Sequence, residues 1–238
     1  MRHRARGIPG EAAPDPELNP SRRPGRSPGE AGRVGRLARA QLYLVTPDAP
    51  PERVVEIAAA AIRGGADIVQ LRHKTLPRGE LLTLARRLRE LIRDALFVVD
   101  DHVDIAVLSG ADGVHLGPDD LSIGAARRVG GDRLLIGASA STVETARAAV
   151  AEGADYIGCG AAFTTPVKRE RKVIGPQGVA LVARALAPVP VFAIGGIDES
   201  NIEQLTAMGI RRACVIRAVA EASNPEQATR RLRAMLTK

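Results

Sequence analysis

The sequence predicts a (β/α)8 barrel, in which eight parallel strands close into a cylinder surrounded by helices. From residue 41 onward, eight short apolar runs alternate with amphipathic helical segments. The runs are apolar throughout, as strands are when both faces of a parallel sheet are covered. Short loops and right-handed crossovers then favour closure into a barrel. An open doubly wound sheet is the alternative, but TPDAPPE after the first strand is not the Gly-rich turn typical of that fold.

Residues 1–38 predict a disordered tail, and residues 39–238 a single barrel domain. The tail is rich in Pro, Gly, Arg and Ser and has few apolar side chains to bury. Its eight Arg against four carboxylates carry about +4 of the net charge of +7. Because the basic charge lies mainly in this tail, we expect no nucleic-acid partner for the barrel.

The composition also restricts the location of the protein. No apolar stretch approaches the roughly 18 residues that span a membrane, and the first residues lack the apolar core of a signal peptide. The two cysteines, Cys159 and Cys214, lie in apolar runs without metal-type or disulfide-type spacing. We therefore expect a cytoplasmic protein without a membrane partner. Its oligomeric state is left open, including a homo-oligomer.

The expected elements follow from apolar periodicity and from Pro and Gly at segment ends. The segment after the first strand, for example, has Pro51 in its first turn and Gly64-Gly65 at its end. Strands are predicted at 42–46, 67–72, 96–100, 113–117, 134–139, 156–160, 191–196 and 213–219. Helices are predicted at 51–65, 79–95, near 103–110, near 123–130, and at 141–153, 176–187, 199–209 and 225–236.

A weak repeat, Gly-Ala-Asp, occurs at 65–67, 110–112 and 153–155, each time between a helix and a strand. Each Gly can end a helix in the left-handed region. These turns lead into strands two, four and six, so we expect them at the bottom of the barrel, with a role in stability.

Polar residues cluster at the opposite ends of the strands. This carboxyl-terminal face is where barrel enzymes place their active sites. The residues are Gln70, Arg72 and Lys74 after strand two, Asp100 and Asp101 after strand three, Asp120 after strand four, Ser139 at the end of strand five, Thr164, Thr165 and Lys168 after strand six, Gly195-Gly196 after strand seven and Arg217 at strand eight. His115 lies inside strand four and is expected to be a packed core histidine.

The residue types predict two anion sites. Arg72, Lys74 and Lys168 suit an anion with several charges. Asp101 and Asp120 suit Mg2+ shared with substrate phosphates, although Asp101 could instead cap the following helix. Gly195-Gly196 is typical of a backbone phosphate site, or of a tight turn without a ligand. Two phosphorylated substrates joined by displacement of a diphosphate would use such a cavity.

Five segments of the chain resemble those of the thiamine-phosphate synthase family, over about residues 41–222. QLRHK resembles the family's QLRxK, and VVDDHVDIAVLSGADGVHLGPDD resembles INDRVDIALAVGADGVHLGQxD. IGASAS, GADYIGCGAAFTTPVK and FAIGGI correspond to further family segments in the same order. The resemblance implies a (β/α)8 barrel that joins 4-amino-5-hydroxymethyl-2-methylpyrimidine diphosphate to 4-methyl-5-(2-phosphoethyl)thiazole, releasing diphosphate.

The resemblance also implies roles for individual residues, of which Arg72, Lys74 and Lys168 are expected to be catalytic. The pyrimidine diphosphate would be held by Gln70, Arg72, Lys74, Asp100, Ser139 and Lys168, Mg2+ by Asp101 and Asp120, and the thiazole phosphate by Thr165, Pro166, Val167, Gly196, Ile216 and Arg217. The family chemistry is dissociative, so no protein nucleophile is needed.

Several positions depart from the family pattern. Asp100 stands in place of Asn, His102 of Arg, Ser141 of His, Val167 of Thr and Arg217 of Ser. Two alternatives follow. One is a thiazole tautomerase-like isomerase, whose proton-transfer group would be expected where Ser141 stands. The other is a barrel that binds phosphorylated ligands without turnover, for which Asp100 and Arg217 are the supporting features.

Overall fold

The computed structural model describes residues 28–164 and 172–237, with side chains from residue 32 onward. It confirms the predicted barrel: eight parallel strands close in the order β1 to β8, with β8 pairing to β1. The strands are β1 Leu42–Val45, β2 Ile68–Leu71, β3 Leu96–Asp100, β4 Gly113–Leu116, β5 Leu135–Ala140, β6 Tyr156–Gly160, β7 Val191–Ile194 and β8 Ala213–Val215.

Ten α-helices occur within the described ranges, and most of them lie between successive strands. They are α1 Pro28–Arg39, α2 Pro51–Arg63, α3 Arg78–Leu91, α4 Val103–Ser109, α5 Ile123–Gly130, α6 Val143–Ala151, α7 Gly175–Leu186, α8 Ile202–Thr206, α9 Arg217–Ala220 and α10 Pro225–Thr237. None of them combines the length and the apolar composition that a membrane crossing requires.

The apolar strands have two different surroundings. Alternate residues point to opposite sides of a strand, so Leu42 and Leu44 join the layer between the barrel and the helices. Tyr43 and Val45 instead belong to a cluster inside the barrel. Because both sides are buried, the strands show no alternation of apolar and polar residues, as the sequence predicted.

The predicted strand at 213–219 is wrong beyond Val215, since Arg217–Ala220 forms α9. A short apolar run fits a buried helix as well as a strand, and Val219 is fully buried on this helix. The predicted strand at 191–196 is two residues too long. Gly195 and Gly196, with φ of 103° and 64°, turn the chain away after Ile194.

The predicted tail boundary at residue 38 is also wrong, because residues 28–39 form α1. Leu37 is only 3% exposed and packs with the cluster inside the barrel. The Arg36 guanidinium lies 3.1 Å from Asp112, and Arg212 donates to the carbonyl of Ala38 at 2.7 Å. Apolar contacts at the open lower end of the barrel therefore compensate the ordering of this segment. Residues 1–27 lie outside the described part.

The Gly-Ala-Asp repeats lie at the bottom of the barrel, as predicted. Each Asp accepts a hydrogen bond from the backbone N–H of a neighbouring strand: Asp67 from Leu42 at 2.9 Å, Asp112 from Phe97 at 2.9 Å and Asp155 from Ile136 at 2.8 Å. Each also pairs with arginine: Arg233 with Asp67, Arg36 and Arg89 with Asp112, and Arg127 with Asp155. This ring of ion pairs holds the start of three strands.

Candidate active site

A cavity of about 460 Å3 opens at the carboxyl ends of the strands, a volume in the range of small-molecule sites. Ten residues that the sequence predicted for the site line it, namely Gln70, Arg72, Lys74, Asp100, Asp101, Asp120, Gly195, Gly196, Ile216 and Arg217. Ser139 is joined to this cavity through His115, whose Nε2 lies 3.0 Å from its hydroxyl. Four further candidates, Thr165, Pro166, Val167 and Lys168, lie outside the described residues.

The cationic side of the cavity is built by β2 and the loop that follows it. Gln70 is 3% exposed, and its Nε2 donates to the Tyr43 hydroxyl at 3.0 Å. Arg72 and Lys74 lie just beyond the end of β2, with the Arg72 Nε 3.8 Å and the Lys74 Nζ 3.1 Å from Asp100 Oδ2. Lys74 also donates to Asp101. The two cations and the amide thus converge on one side of the cavity.

Three carboxylates face these cations. Asp100 is the last residue of β3, and Asp101 adopts a left-handed φ of 59°, which is uncommon for a residue other than Gly. Asp120 accepts a hydrogen bond from the Gly117 N–H at 2.7 Å and interacts directly with Asp101. The N-cap residue of α4 is His102, whose side chain makes no capping hydrogen bond. Asp101 is therefore not the helix cap that the sequence left open.

The nearby cations, Lys74 and Arg72, do not supply enough positive charge for all three carboxylates to ionise freely. Burial, followed by the charge of Asp101, raises the pKa of Asp100 to about 6. Burial and the neighbouring Asp101 also raise the pKa of Asp120. Burial acts in the same direction on Asp101, but hydrogen bonds from Lys74 and Asp120 outweigh it and lower its pKa. A further cation would relieve this crowding.

The donor set fits a magnesium ion that is shared with a substrate. Asp101 and Asp120 supply two carboxylates at the edge of an open cavity. Mg2+ is usually held by one or two carboxylates together with waters and phosphate oxygens. The described residues contain no group of three or more His, Cys, Asp or Glu placed to form an all-protein metal site. The arrangement therefore suits a hard ion that completes its coordination with phosphate and water.

The opposite side of the cavity is a glycine turn. A Cβ on Gly196 would lie 2.4 Å from the Thr164 carbonyl oxygen, so no larger residue fits this conformation without rearrangement. The Asn201 amide donates to the Gly196 carbonyl at 2.7 Å and fixes the turn. Arg217 lies nearby at the first position of α9, is 44% exposed and is 3.9 Å from Glu221. The glycine turn and the Arg217 side chain thus line the same side of the cavity.

The polar floor of the cavity was not predicted from the sequence. The chain has only two tyrosines, and the hydroxyls of Tyr43 and Tyr156 lie 2.9 Å apart inside the barrel. His115, which was expected to be a packed core residue, lines the cavity next to Tyr156. The available signal was a polar-tipped aromatic in each of two otherwise aliphatic strands. The sequence does not show whether each tyrosine faces the inside of the barrel or the helices, because this depends on the register of the strand.

Comparisons with known proteins show which proteins this chain is similar to. The family model described as thiamine monophosphate synthase matches residues 42–219. The thiamine-phosphate synthase of Anaeromyxobacter dehalogenans is 45% identical over 208 residues, which are 86% of this chain and 90% of that protein. The solved structure of thiamine phosphate pyrophosphorylase from Pyrococcus furiosus is 38% identical, with a TM-score of 0.77 over 85% of this chain and 97% of its own.

Some relatives are considerably longer. The thiamine-phosphate synthase of Thermosynechococcus vestitus is 45% identical over 202 residues, which are 84% of this chain but only 57% of that protein. The chain thus spans little more than half the length of this relative. The match of the family model over most of the barrel, together with these identities, shows that the chain belongs to the thiamine monophosphate synthase family.

Proposed function

We propose that the protein is a thiamine-phosphate synthase. It would join 4-amino-5-hydroxymethyl-2-methylpyrimidine diphosphate to 4-methyl-5-(2-phosphoethyl)thiazole, giving thiamine phosphate and diphosphate. The observation that carries the proposal is one cavity whose two sides are lined by unlike groups, each suited to an anion. Arg72, Lys74 and the carboxylates of Asp101 and Asp120 lie on one side, and the Gly195-Gly196 turn lies on the other. Family membership supports the assignment.

On the cationic side, Arg72 and Lys74 would bind the diphosphate, with Lys168 as a third cation from the loop after β6. Asp101 and Asp120 would hold Mg2+, which when bound stabilises the charge that develops on the leaving diphosphate. Gln70, whose orientation is fixed by the Tyr43 hydroxyl, would accept from the amino group of the pyrimidine. Asp100 and Ser139 complete the proposed pyrimidine site.

On the glycine side, the turn at Gly196 and the start of α9 would bind the thiazole phosphate. The Ile216-Arg217 turn, which lines the cavity, would add backbone donors and one guanidinium. Thr165, Pro166 and Val167 are the proposed contacts from the loop after β6. This arrangement would place the thiazole ring towards the middle of the cavity, beside the pyrimidine methylene carbon.

The proposed reaction needs no covalent protein intermediate. The bond between the methylene carbon and the diphosphate oxygen breaks, and diphosphate leaves with the electron pair. The thiazole nitrogen then forms the new C–N bond with its lone pair. The cysteine thiol that lines the cavity, Cys214, is unsuited to act as a nucleophile, because burial strongly raises its pKa. Electrostatic stabilisation of the leaving group supplies the catalysis.

We also propose a cytoplasmic location and no nucleic-acid partner. Both cysteines are buried and unpaired, and burial raises the pKa of Cys159 to about 12, as expected of inert thiols in a reducing compartment. About +4 of the net charge of +7 lies in residues 1–38 rather than in the barrel. These properties favour small anionic substrates over a polyanion.

A direct test incubates the purified protein with both substrates and Mg2+ and measures thiamine phosphate and diphosphate by chromatography. The proposal predicts equal amounts of the two products. Isomerisation of a thiazole carboxylate phosphate without condensation would instead identify a tautomerase-like enzyme. Binding of both phosphorylated ligands without any product would identify a non-catalytic barrel.

A further inference from the structure

The segment after β1 holds the loop that carries the two cations. Thr46 is fully buried, and its hydroxyl accepts from the Arg72 N–H at 3.0 Å and donates to the Arg72 carbonyl at 3.3 Å. The Thr46 N–H donates to the Gln70 carbonyl at 2.9 Å. One hydroxyl therefore holds both the N–H and the carbonyl of Arg72.

Asp48 extends this attachment to the side chains. Its Oδ1 accepts from the Lys74 N–H at 2.5 Å, and its Oδ2 accepts from the Arg72 guanidinium at 3.1 Å. The His73 Nδ1 lies 3.4 Å from Oδ1, and the His73 Nε2 lies 2.9 Å from the Ala49 carbonyl oxygen. Each residue of the Arg72–Lys74 loop thus has a polar contact with Asp48 or its neighbour.

Asp48 holds these residues from outside the cavity. Arg72 and Lys74 line the cavity, whereas Asp48 does not and is one-third exposed. The Arg72 guanidinium therefore lies between two carboxylates, with Asp48 behind it and Asp100 in front. Two long cationic side chains lose much rotamer freedom when they bind an anion, and ordering them beforehand reduces this cost.

We infer that Asp48 is a positioning residue, which orders Arg72 and Lys74 for a bound diphosphate group. The inference rests on the proposed function and adds a residue that does not itself touch the substrate. The direction of the change in diphosphate affinity distinguishes this role from that of a bystander. A carboxylate near an anion site weakens anion binding by repulsion, so removing a bystander carboxylate would strengthen binding. Removing a positioning carboxylate weakens it.

The inference is tested by calorimetry, in which inorganic diphosphate is titrated into the full-length protein and its variants in the presence of Mg2+. The dissociation constant for diphosphate is compared between them. We expect Asp48→Ala to weaken diphosphate binding about tenfold, because it releases both the Lys74 N–H and the Arg72 guanidinium. Asp48→Asn keeps an oxygen that accepts from Lys74, and we expect binding within about threefold of the wild type. Thermal melting of each variant confirms that it is folded.

The matched control is Asp104→Ala. Asp104 is an exposed carboxylate in the first turn of α4 that pairs with Arg78 rather than with the Arg72–Lys74 loop. This control removes the same charge, and we expect diphosphate binding to be unchanged or slightly tighter. In turnover, Asp48→Ala raises the KM for the pyrimidine diphosphate about tenfold and leaves the KM for the thiazole phosphate unchanged.

Two results would overturn the inference: diphosphate binding to Asp48→Ala as tight as to the wild type, or no recovery in Asp48→Asn. If the wild type makes thiamine phosphate in either case, only the role of Asp48 fails. If the binding pattern is as expected but the wild type makes no thiamine phosphate, the proposed function fails and the role of Asp48 stands.

Discussion

The two rims of the barrel use aspartate in opposite ways. At the bottom rim, Asp67, Asp112 and Asp155 each have a backbone N–H and at least one arginine as partners. At the top rim, Lys74 pairs with both Asp100 and Asp101, Arg72 also pairs with Asp100, and the pKa of Asp100 is raised to about 6. Balanced charge at the bottom stabilises the fold. Unbalanced charge at the top would suit the proposed cation and anionic substrates.

The largest expected effect is on turnover, from Asp120→Ala at the top rim. Loss of a proposed Mg2+ ligand should reduce kcat/KM at least about 100-fold, because the leaving diphosphate loses its charge stabilisation. The melting temperature should stay the same or rise, since one crowded carboxylate is removed. Product formation across a Mg2+ titration measures the first effect, and thermal melting the second. Full activity would contradict the metal role.

The matching change at the bottom rim is Asp112→Ala, which should have the reverse outcome. It leaves Arg36, Arg89 and the Phe97 N–H without their acceptor. We expect the free energy of unfolding to fall by about 2–4 kcal/mol, while kcat of the folded fraction is unchanged. Denaturant unfolding checks the stability. A variant that is as stable as the wild type would show that the lower ion pairs contribute little.

A smaller effect should follow from Asp100→Asn, and it should depend on pH. The pKa of this carboxyl is about 6 in the folded protein, above the value of about 4 in an unfolded chain. Its ionisation therefore costs stability as the pH rises through this range. Without metal, Asn should stabilise the protein by about 1–3 kcal/mol at pH 8 and by nothing below about pH 4. A gain independent of pH would contradict the shifted pKa.

The smallest expected effect is at the glycine side. Arg217→Ser should raise the KM for the thiazole phosphate about three- to tenfold, because one charged donor is lost while the backbone donors remain. The KM for the pyrimidine diphosphate should not change, and Arg217→Lys should keep part of the affinity. Steady-state kinetics with each substrate varied in turn measure both constants. Tighter thiazole phosphate binding in the Ser variant would show that Arg217 obstructs the site.

The sequence predicted the features that depend on local pattern. Apolar runs and helical segments in alternation predicted the barrel, and polar residues at strand ends predicted part of the lining of the cavity. The Gly-Ala-Asp turns could be placed at the bottom rim because they precede strands.

Features that depend on long-range packing could not be predicted in this way. The helix at residues 28–39 is ordered because Leu37 packs against the hydrophobic cluster inside the barrel, most of whose residues come from strands distant in sequence. Asp48 received no assignment, because its partners are 24 and 26 positions away in sequence and meet it only when β1 and β2 pair. The run at 213–219 lacked any local signal that separates a strand from a buried helix.

The most direct test follows both phosphorus-containing products by 31P NMR while Mg2+ is added to protein and both substrates. If one cavity holds a magnesium-bound diphosphate opposite a monophosphate, thiamine phosphate and diphosphate should appear in equal amounts, only with Mg2+, and not with Asp120→Ala. Condensation that proceeds equally well in EDTA, or in the Asp120→Ala variant, would contradict the account.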